Sequence, residues 1–439
     1  QNIISEPMEV FGVNAGLIVI LAFVALALLR VPVFIALALP STLFVLASDR
    51  PLLFVVNRMV RTVDSFTLLA IPLFIYVGSL MNHGDVTEKI FEFADDIVGH
   101  ATGGLAQVNI VTSLIFSGIS GSALADIGGV GRVLIETMSD NGYDDGYSAA
   151  LTSASATIGP IFPPSIPLIL YGILAEVSVL QLLIAGAIPA VVTTLLLMVW
   201  TRYLAHTRGF PSNDKRASFS KMASSFVVAA PALFTPAVLI AGMLGGLFTP
   251  TEAAAVTVVY ILIINTVIYR VTGLRYIWDA ALETARTTGS IVLILAAAAV
   301  FSFVLSVEGI DTLFANFVFA FSENPIVVLL LVNALLLFIG LFLDPIAALV
   351  MMTPIVFPVL FEVGVDPVQI GVIMVFNLML GLLTPPLGLS VYLSADIADV
   401  SVGSVFRKTR TYYLIMLVAL LIITFVPVVS LGLVETFFR

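Results

Sequence analysis

Four short stretches of this chain place oxygen-bearing side chains and glycines inside apolar segments of membrane length. The first is Ser117-Gly118-Ile119-Ser120-Gly121-Ser122-Ala123-Leu124-Ala125-Asp126, and the second is Gly159-Pro160-Ile161-Phe162-Pro163-Pro164-Ser165. The third runs from Gly340 to Asp344-Pro345, and the fourth is Gly381-Leu382-Leu383-Thr384-Pro385-Pro386. Ser120, Ser122 and Asp126, with the carbonyls around Gly159 and Pro163, make one set of hard oxygen donors. Asp344 and Thr384, with the carbonyls around Gly340 and Gly381, make another. Hard oxygens suit a hard cation, and an ionisable residue inside a membrane is a functional candidate. The chemistry implied is a pair of symmetry-related Na+ sites. Helix ends freed at such breaks present N–H groups to a carboxylate. Candidate substrate contacts are therefore Ser120, Gly121, Arg132, Ser165, Asp344, Pro385 and Pro386. Arg132 has two readings, as the partner of Asp126 or as a contact to an anionic substrate. Asp344 also reads as the N-cap before Pro345, which is compatible with an ion-binding role.

No nucleophile–base pair accompanies these groups. The three histidines, His83, His100 and His206, are scattered and read as loop or interfacial residues. With no cysteine there are no disulfides and no thiolate sites, so Na+ is the only metal expected and no cofactor is implied. Tyr143-Asp144 superficially resembles half of an intramembrane aspartyl protease, but the matching GxGD is missing. A passive channel gives no reason for two half-helix sites. Both readings are set aside for a carrier.

The elements that must hold these groups follow from composition. Of 439 residues, 60% are hydrophobic and 10% charged, against roughly 25% charged in soluble domains. Charge-free runs at Phe11–Leu29, Val177–Thr201, Phe226–Thr251, Ala253–Tyr269, Ile291–Val307, Pro325–Leu343 and Leu414–Val434 are long enough to span a bilayer as helices. The reading is an all-α polytopic protein embedded in a lipid bilayer. A net charge of −10 argues against nucleic-acid partners and points to a high-salt habitat. The segment before Met8 lacks a basic n-region and reads as a fusion remnant rather than a signal peptide.

Proline removes an N–H and clashes with the preceding turn, so a helix cannot run through Pro163-Pro164 or Pro385-Pro386. A break at membrane depth is tolerated where the backbone is buried in protein or lines a cavity. Residues 103–138 and 326–360 read as re-entrant hairpins, and 146–174 and 367–395 as interrupted helices. His83–His100 reads as an amphipathic helix along the interface. Ser48–Ser65 reads as a polar connection before a span at Phe66–Met81. Trp278–Arg286 reads as an amphipathic piece preceding the span Ile291–Val307, and Leu414–Leu433 as the final span. Asp144 or Asp145 is expected to cap a helix, and Thr249-Pro250-Thr251-Glu252 forms a capping box, making Glu252 structural.

Pro163 and Pro385 lie 222 residues apart, and the same offset pairs Gly118 with Gly340, Asp144 with Asp366, Gly159 with Gly381 and Ser155 with Asn377. Breakers and loop acids match rarely by chance, so residues 1–221 and 222–439 read as two structural repeats. Basic loops at Arg30, Arg202–Lys221, Arg270/Arg275 and Arg407/Lys408/Arg410 face the cytoplasm by their charge. Five crossings plus one hairpin per half make the second repeat inverted. Arg50, Arg58 and Arg61 then fall on the outer side, against the charge rule, and the acidic His83–His100 piece falls inside.

With Gly142-Tyr143-Asp144, Thr249-Pro250-Thr251-Glu252-Ala253, Leu343-Asp344-Pro345 and Leu383-Thr384-Pro385-Pro386-Leu387-Gly388, the motifs above resemble the large (M) membrane subunit of TRAP (tripartite ATP-independent periplasmic) transporters. The likeness runs from about Met8 to the C-terminus. It implies the elevator-type ion-transporter superfamily fold, with hairpins and broken helices as the transport domain and the other helices as scaffold. It further implies Na+-driven import of a small carboxylate, such as a C4-dicarboxylate or a sialic acid, or an ectoine-like solute. A small four-helix membrane subunit and a periplasmic substrate-binding protein would be the partners. The location would be a bacterial or archaeal cytoplasmic (inner) membrane. Many relatives have Glu where this chain has Asp344, and Gly128-Gly129-Val130-Gly131-Arg132 departs from the usual pattern. A stand-alone Na+/carboxylate symporter of the same superfamily is the alternative.

Overall fold

In a bilayer an apolar segment must pair its own N–H and C=O groups, and a helix does so within one segment. The computed structural model describes residues 9–10, 13–82, 84–211, 216–270 and 273–438. Met8, His83 and Lys215 lie outside the described residues.

A two-residue antiparallel ladder, β1 (Glu9–Val10) with β2 (Val13–Asn14), precedes the pair α1 (Ala15–Leu28) and α2 (Val33–Ala47). Next come α3 (Leu52–Val63) and, past a 3-10 turn, α4 (Ala70–Met81), bent by 59° as a pair. After α5 (Gly84–Val98), the first hairpin is α6 (Gly104–Ser120), then α7 (Ala123–Asp126), a π-helical turn and α8 (Arg132–Asp140). The first interrupted helix is α9 (Asp145–Ala156) and α10 (Ile166–Leu174), followed by α11 (Val179–Arg208). Then α12 (Phe219–Leu233) and α13 (Thr235–Leu244) form a pair bent by 51°, and α14 (Pro250–Ile263) ends in a π-helical turn. A long helix α15 (Leu274–Val307) and α16 (Ile310–Phe321) lead to the second hairpin, α17 (Pro325–Gly340) and α18 (Pro345–Glu362). The second interrupted helix is α19 (Pro367–Leu380) and α20 (Leu389–Ile397), and α21 (Val402–Phe425) and α22 (Pro427–Phe438) end the chain.

Helices α11, α15, α18, α21 and α14 with its extension are long and apolar enough to cross a membrane, as are the two bent pairs taken whole. The packing falls into two groups. In one, α15 crosses α2, α3 and α4, while α14 packs on α4 and α13. In the other, α9 packs against α6, α20 and α21, and α19 against α17, α18 and α21. Helix α5 joins α12 to α6, and α16 joins α15 to α18.

Three expectations change. Ser48–Ser65 contains a helix, α3, rather than only a polar connection; Val55 is buried while Leu53 and Val60 are exposed, so its amphipathicity was masked by Asn57, Arg58 and Arg61. Trp278–Arg286 and Ile291–Val307 are one continuous helix, because a lone Gly289 costs only about 1 kcal/mol and elongation is cooperative. The final span is two helices, since Val426 precedes Pro427 and is held out of the helical region. Pro354 and Pro358, in contrast, lie inside α18 without breaking it.

Element starts recur at a fixed distance: α3 and α15, α7 and α18, and α9 and α19 each begin 222 residues apart. Both loops before the interrupted helices end in an aspartate cap. Asp144 accepts from the Tyr147 N–H at 2.8 Å, and Asp366 from the Val368 N–H at 2.9 Å. Thr249 and Glu252 form the expected capping box.

Asp144 also pairs with Lys408 of α21, tying the two halves together. Its partial burial alone would raise its pKa, but the Lys408 hydrogen bond and charge and the Tyr147 N–H hold it below the ordinary 3.8. A depressed folded pKa gives stability that is complete above the ordinary value and lost as pH falls through the folded one. Asp144→Ala should therefore cost about 1 kcal/mol at neutral pH, mostly from the lost cap. Thermal unfolding in detergent from about pH 5 to 3 checks it: the gap between wild type and variant should narrow on acidification.

Candidate functional site

A helix stopped inside the membrane leaves donors and acceptors that side chains must take. In the first hairpin, α6 ends because Gly121 adopts a left-handed φ of +63°. A Cβ at Gly121 would lie 2.3 Å from the Pro164 carbonyl oxygen, so this tip can sit on the first Pro-Pro break only with glycine there. Ser122 caps α7, and its own N–H donates to Ser120 Oγ at 3.3 Å. Asp126, one turn on, is 1% exposed and accepts from the Ser120 hydroxyl through Oδ1. Its other oxygen, Oδ2, is buried with no hydrogen-bond partner. The facing backbone is Gly159, where an added Cβ would stand 2.6 Å from Oδ2.

Structure thus brings together Ser120, Ser122, Asp126 and Gly159. A buried carboxylate with one bare oxygen needs a proton or a cation. Carboxylate and hydroxyl oxygens beside a glycine backbone form a donor set that fits a hard monovalent cation.

The second hairpin is built differently. Asp344 is half-buried and caps α18, accepting through Oδ1 from the N–H groups of Ile346 at 3.0 Å and Ala347 at 3.4 Å. Gly340 and Gly381 meet backbone to backbone, a Cβ on Gly381 falling 2.4 Å from the Gly340 oxygen. The Thr384 hydroxyl donates to the Leu380 carbonyl at 2.7 Å, and its N–H to the Gly381 carbonyl at 3.1 Å. Among the described residues no hydrogen bond joins Asp344 to Thr384 or to the Asp126 cluster.

Both Pro163–Pro164 and Pro385–Pro386 peptides are cis. Their surroundings differ. Pro163, Pro164 and Ser165 are buried, whereas Pro385, Pro386 and Leu387 are exposed. The Ser165 hydroxyl donates to the Pro160 carbonyl and accepts from the Leu168 N–H at 3.1 Å, so it holds the break together. Arg132 is 57% exposed at its side chain and pairs with Glu136 at 3.9 Å one turn along α8, away from Asp126.

Buried amides hold each hairpin to its interrupted helix, and of these Asn109 and Asn333 carry a role not read from the sequence. Asn109 of α6 donates to Thr152 Oγ1 at 2.7 Å and accepts from the Ser155 hydroxyl at 3.0 Å. In the second half Asn377 donates to Asn333 Oδ1 at 2.7 Å. The signal was available in the second half, where Asn333 is the single polar side chain in an otherwise apolar α17. The interrupted helices are also tied to each other, Tyr171 donating to the Pro367 carbonyl at 2.8 Å and Ser153 to the Ser390 carbonyl at 3.2 Å.

Residues 20–429 match the family model of the tripartite ATP-independent periplasmic transporter, DctM component. The chain is 39% identical over 408 residues to the sialic acid TRAP transporter large permease protein SiaM of Vibrio cholerae, covering 92% of this chain and 94% of that one. It is 35% identical over 376 residues to the C4-dicarboxylate TRAP transporter large permease protein DctM of Pseudomonas aeruginosa, covering 86% and 88%. In fold it is similar to the YdaH transporter of Alcanivorax borkumensis, with a TM-score of 0.59 at 15% identity over 85% of this chain and 88% of that one.

Removing the donor to a buried acceptor leaves a desolvated oxygen, so Ser120→Ala should lower stability by about 1–3 kcal/mol. Asp126→Asn, which keeps the shape without the charge, should melt at or above the wild-type temperature in cation-poor buffer. Thermal unfolding of both variants in detergent reads the difference. A Ser120→Ala protein as stable as wild type would remove that bond from the account.

Proposed function

The chain belongs to the DctM component family of tripartite ATP-independent periplasmic transporters, and on that premise we propose that it imports a small organic acid coupled to Na+. One observation carries the ion: Asp126, buried beside Gly159, has a carboxylate oxygen with no partner in the protein. An unneutralised charge in that position is costly to move through an apolar surround, whereas a Na+–carboxylate pair is not. Movement is thereby made to depend on Na+, because the unloaded hairpin carries a bare charge through the apolar surround.

In this reading residues 1–221 and 222–439 are inverted repeats. Their hairpins and interrupted helices form a transport domain that moves as an elevator against a scaffold of α1–α4 and α12–α15. The recurrence of element starts and the two packing groups support the division. Asp344 and Thr384 form the second Na+ position, with the carbonyls of Gly340 and Gly381. The substrate is a carboxylate, in keeping with the sialic acid and C4-dicarboxylate relatives, and it meets the exposed Pro385-Pro386 break. A small four-helix membrane subunit enlarges the scaffold, and a periplasmic binding protein delivers the solute, in a bacterial or archaeal inner membrane.

The test is uptake of labelled sialic acid or succinate into proteoliposomes holding both membrane subunits. It should need an inward Na+ gradient and the binding protein together. Uptake without the binding protein would favour a stand-alone symporter, and uptake without Na+ would remove the coupling. Asp126→Asn and Asp344→Ala should each cut Na+-dependent uptake roughly tenfold or more, equivalent to about 1.4 kcal/mol per tenfold of lost binding. Wild-type uptake by either folded variant would strike that residue from the ion sites.

A further inference from the structure

Three arginines stand where the charge rule does not want them. Arg30 precedes α2 and belongs to the basic side of the protein, while Arg50, Arg58 and Arg61 follow α2 at its opposite end. Among the described residues no carboxylate forms an ion pair with any of the three. Arg50 and Arg58 are nevertheless positioned. The Arg50 guanidinium lies 4.8 Å from the Phe303 ring centre and 5.4 Å from that of Phe54. Arg58 lies 4.9 Å from the same Phe303 ring, and its Nε–H donates to the Ala299 carbonyl at 3.3 Å. Two cations gathered on one aromatic ring, neither in an ion pair although Asp49 adjoins Arg50 in the chain, form a receptor for an anion.

The rest of α3 says which anion. The 59° bend between α3 and α4 turns α3 away from the direction of α4, although α15, which starts 222 residues after α3, is one unbroken helix. One side of α3 packs on α15 through Val55, which is 4% exposed. The next carries Leu53 and Val60, 64% and 56% exposed, in a row with Leu52 and Val56. Arg58 and Arg61 occupy the remaining side. A helix with an apolar stripe beside a cationic edge lies in the membrane interface. An apolar groove of about 500 Å³ runs between α1 and α2, lined by Ile18, Ala22, Leu39, Leu43 and Ala47. It reaches Ala47, three residues before Arg50. A ligand that satisfies both parts has a negative head and a hydrocarbon tail.

We propose that Arg50, Arg58 and Arg61 bind the phosphate of an anionic phospholipid whose acyl chain lies along α3 and the α1–α2 groove. The lipid would clamp α2, α3 and α15, helices outside the proposed ion sites, and the assignment does not depend on the transport reading. Anionic headgroups add attraction for each basic residue near the surface, and Arg presents a forked donor suited to phosphate.

The experiment is thermal unfolding of the purified full chain in mild detergent, with and without its membrane partner subunit, on adding dioleoyl phosphatidylglycerol, dioleoyl phosphatidylcholine or inorganic phosphate. Phosphatidylglycerol should raise the wild-type Tm by roughly 3 °C or more, and the other two additions by much less. A triple variant R50Q/R58Q/R61Q should lose that rise, and R50K/R58K/R61K should keep part of it. The lipid-free Tm of each variant establishes that it is folded; if the glutamine variant is not, the single R61Q, whose side chain makes no ring contact, should still reduce the rise. An equal rise with phosphatidylcholine, a rise reproduced by inorganic phosphate, or one undiminished in the folded variants would overturn the proposal. So would an arginine-dependent stabilisation by the partner subunit that phosphatidylglycerol fails to reproduce, which would give the face to a protein.

Discussion

Wherever a helix stops at membrane depth, its unpaired N–H and C=O groups have no water to turn to. This constraint explains the use of almost every polar side chain around the breaks. Asp344, Ser122 and Ser165 take N–H groups at helix starts. Thr157 and Thr384 donate to the Ala154 and Leu380 carbonyls, and Ser165 to that of Pro160. Each group so employed is partly withdrawn from ligand chemistry. Both hairpin acids spend Oδ1, Asp344 on the two N–H groups of its cap and Asp126 on the Ser120 hydroxyl, but Asp126 is more deeply buried and its Oδ2 is bare. The acid left with a bare buried oxygen is the one the backbone does not need.

The two breaks share a sequence pattern and a cis peptide but not a setting. Around the first, Gly121 of the hairpin tip closes on Pro164, and a Cβ on Gly118 would lie 2.7 Å from Pro236 of α13 and 3.0 Å from Phe162. Around the second, the hairpin meets the helix at Gly340 and Gly381, before the break, and leaves Pro385 to Leu387 uncovered. Related segments are thus caught in unlike surroundings, one sealed and one open. The difference lies in which neighbour covers the break, not in the break itself.

Much of this was legible in the chain. Prolines and glycines punctuate strongly, so the hairpins, the interrupted helices and the Asp144 and Thr249 caps could be placed from local rules. The limits of α3 and α15 could not. In α3 charged residues on one side disguised a helix as a loop, and in α15 a polar Thr-Thr-Gly-Ser run disguised one helix as two. In both places the packing against α15 or α2 decides, and packing is not local. Ser120 and Asp126 were readable as donors, but that Arg132 turns to Glu136 depends on rotamer and side-chain direction around a π-helical turn. Ser165 was readable as polar without revealing that its hydroxyl is occupied by the break it belongs to.

The 222-residue spacing of element starts has a mechanical meaning beyond kinship. Side chains at matching positions differ widely, yet three pairs of starts keep that distance to the residue, and those of α6 and α17, α10 and α20, and α11 and α21 stay within one residue of it. Segment length therefore behaves as a gauge that sets where each glycine arrives. One residue added within α9 would swing everything after it by about 100° about the helix axis. Gly159 would then turn from Asp126 Oδ2, and a neighbour bearing a Cβ would take its place. The contact between Asp126 and Gly159 is in that sense measured out by counting residues, before any of its oxygens is chosen.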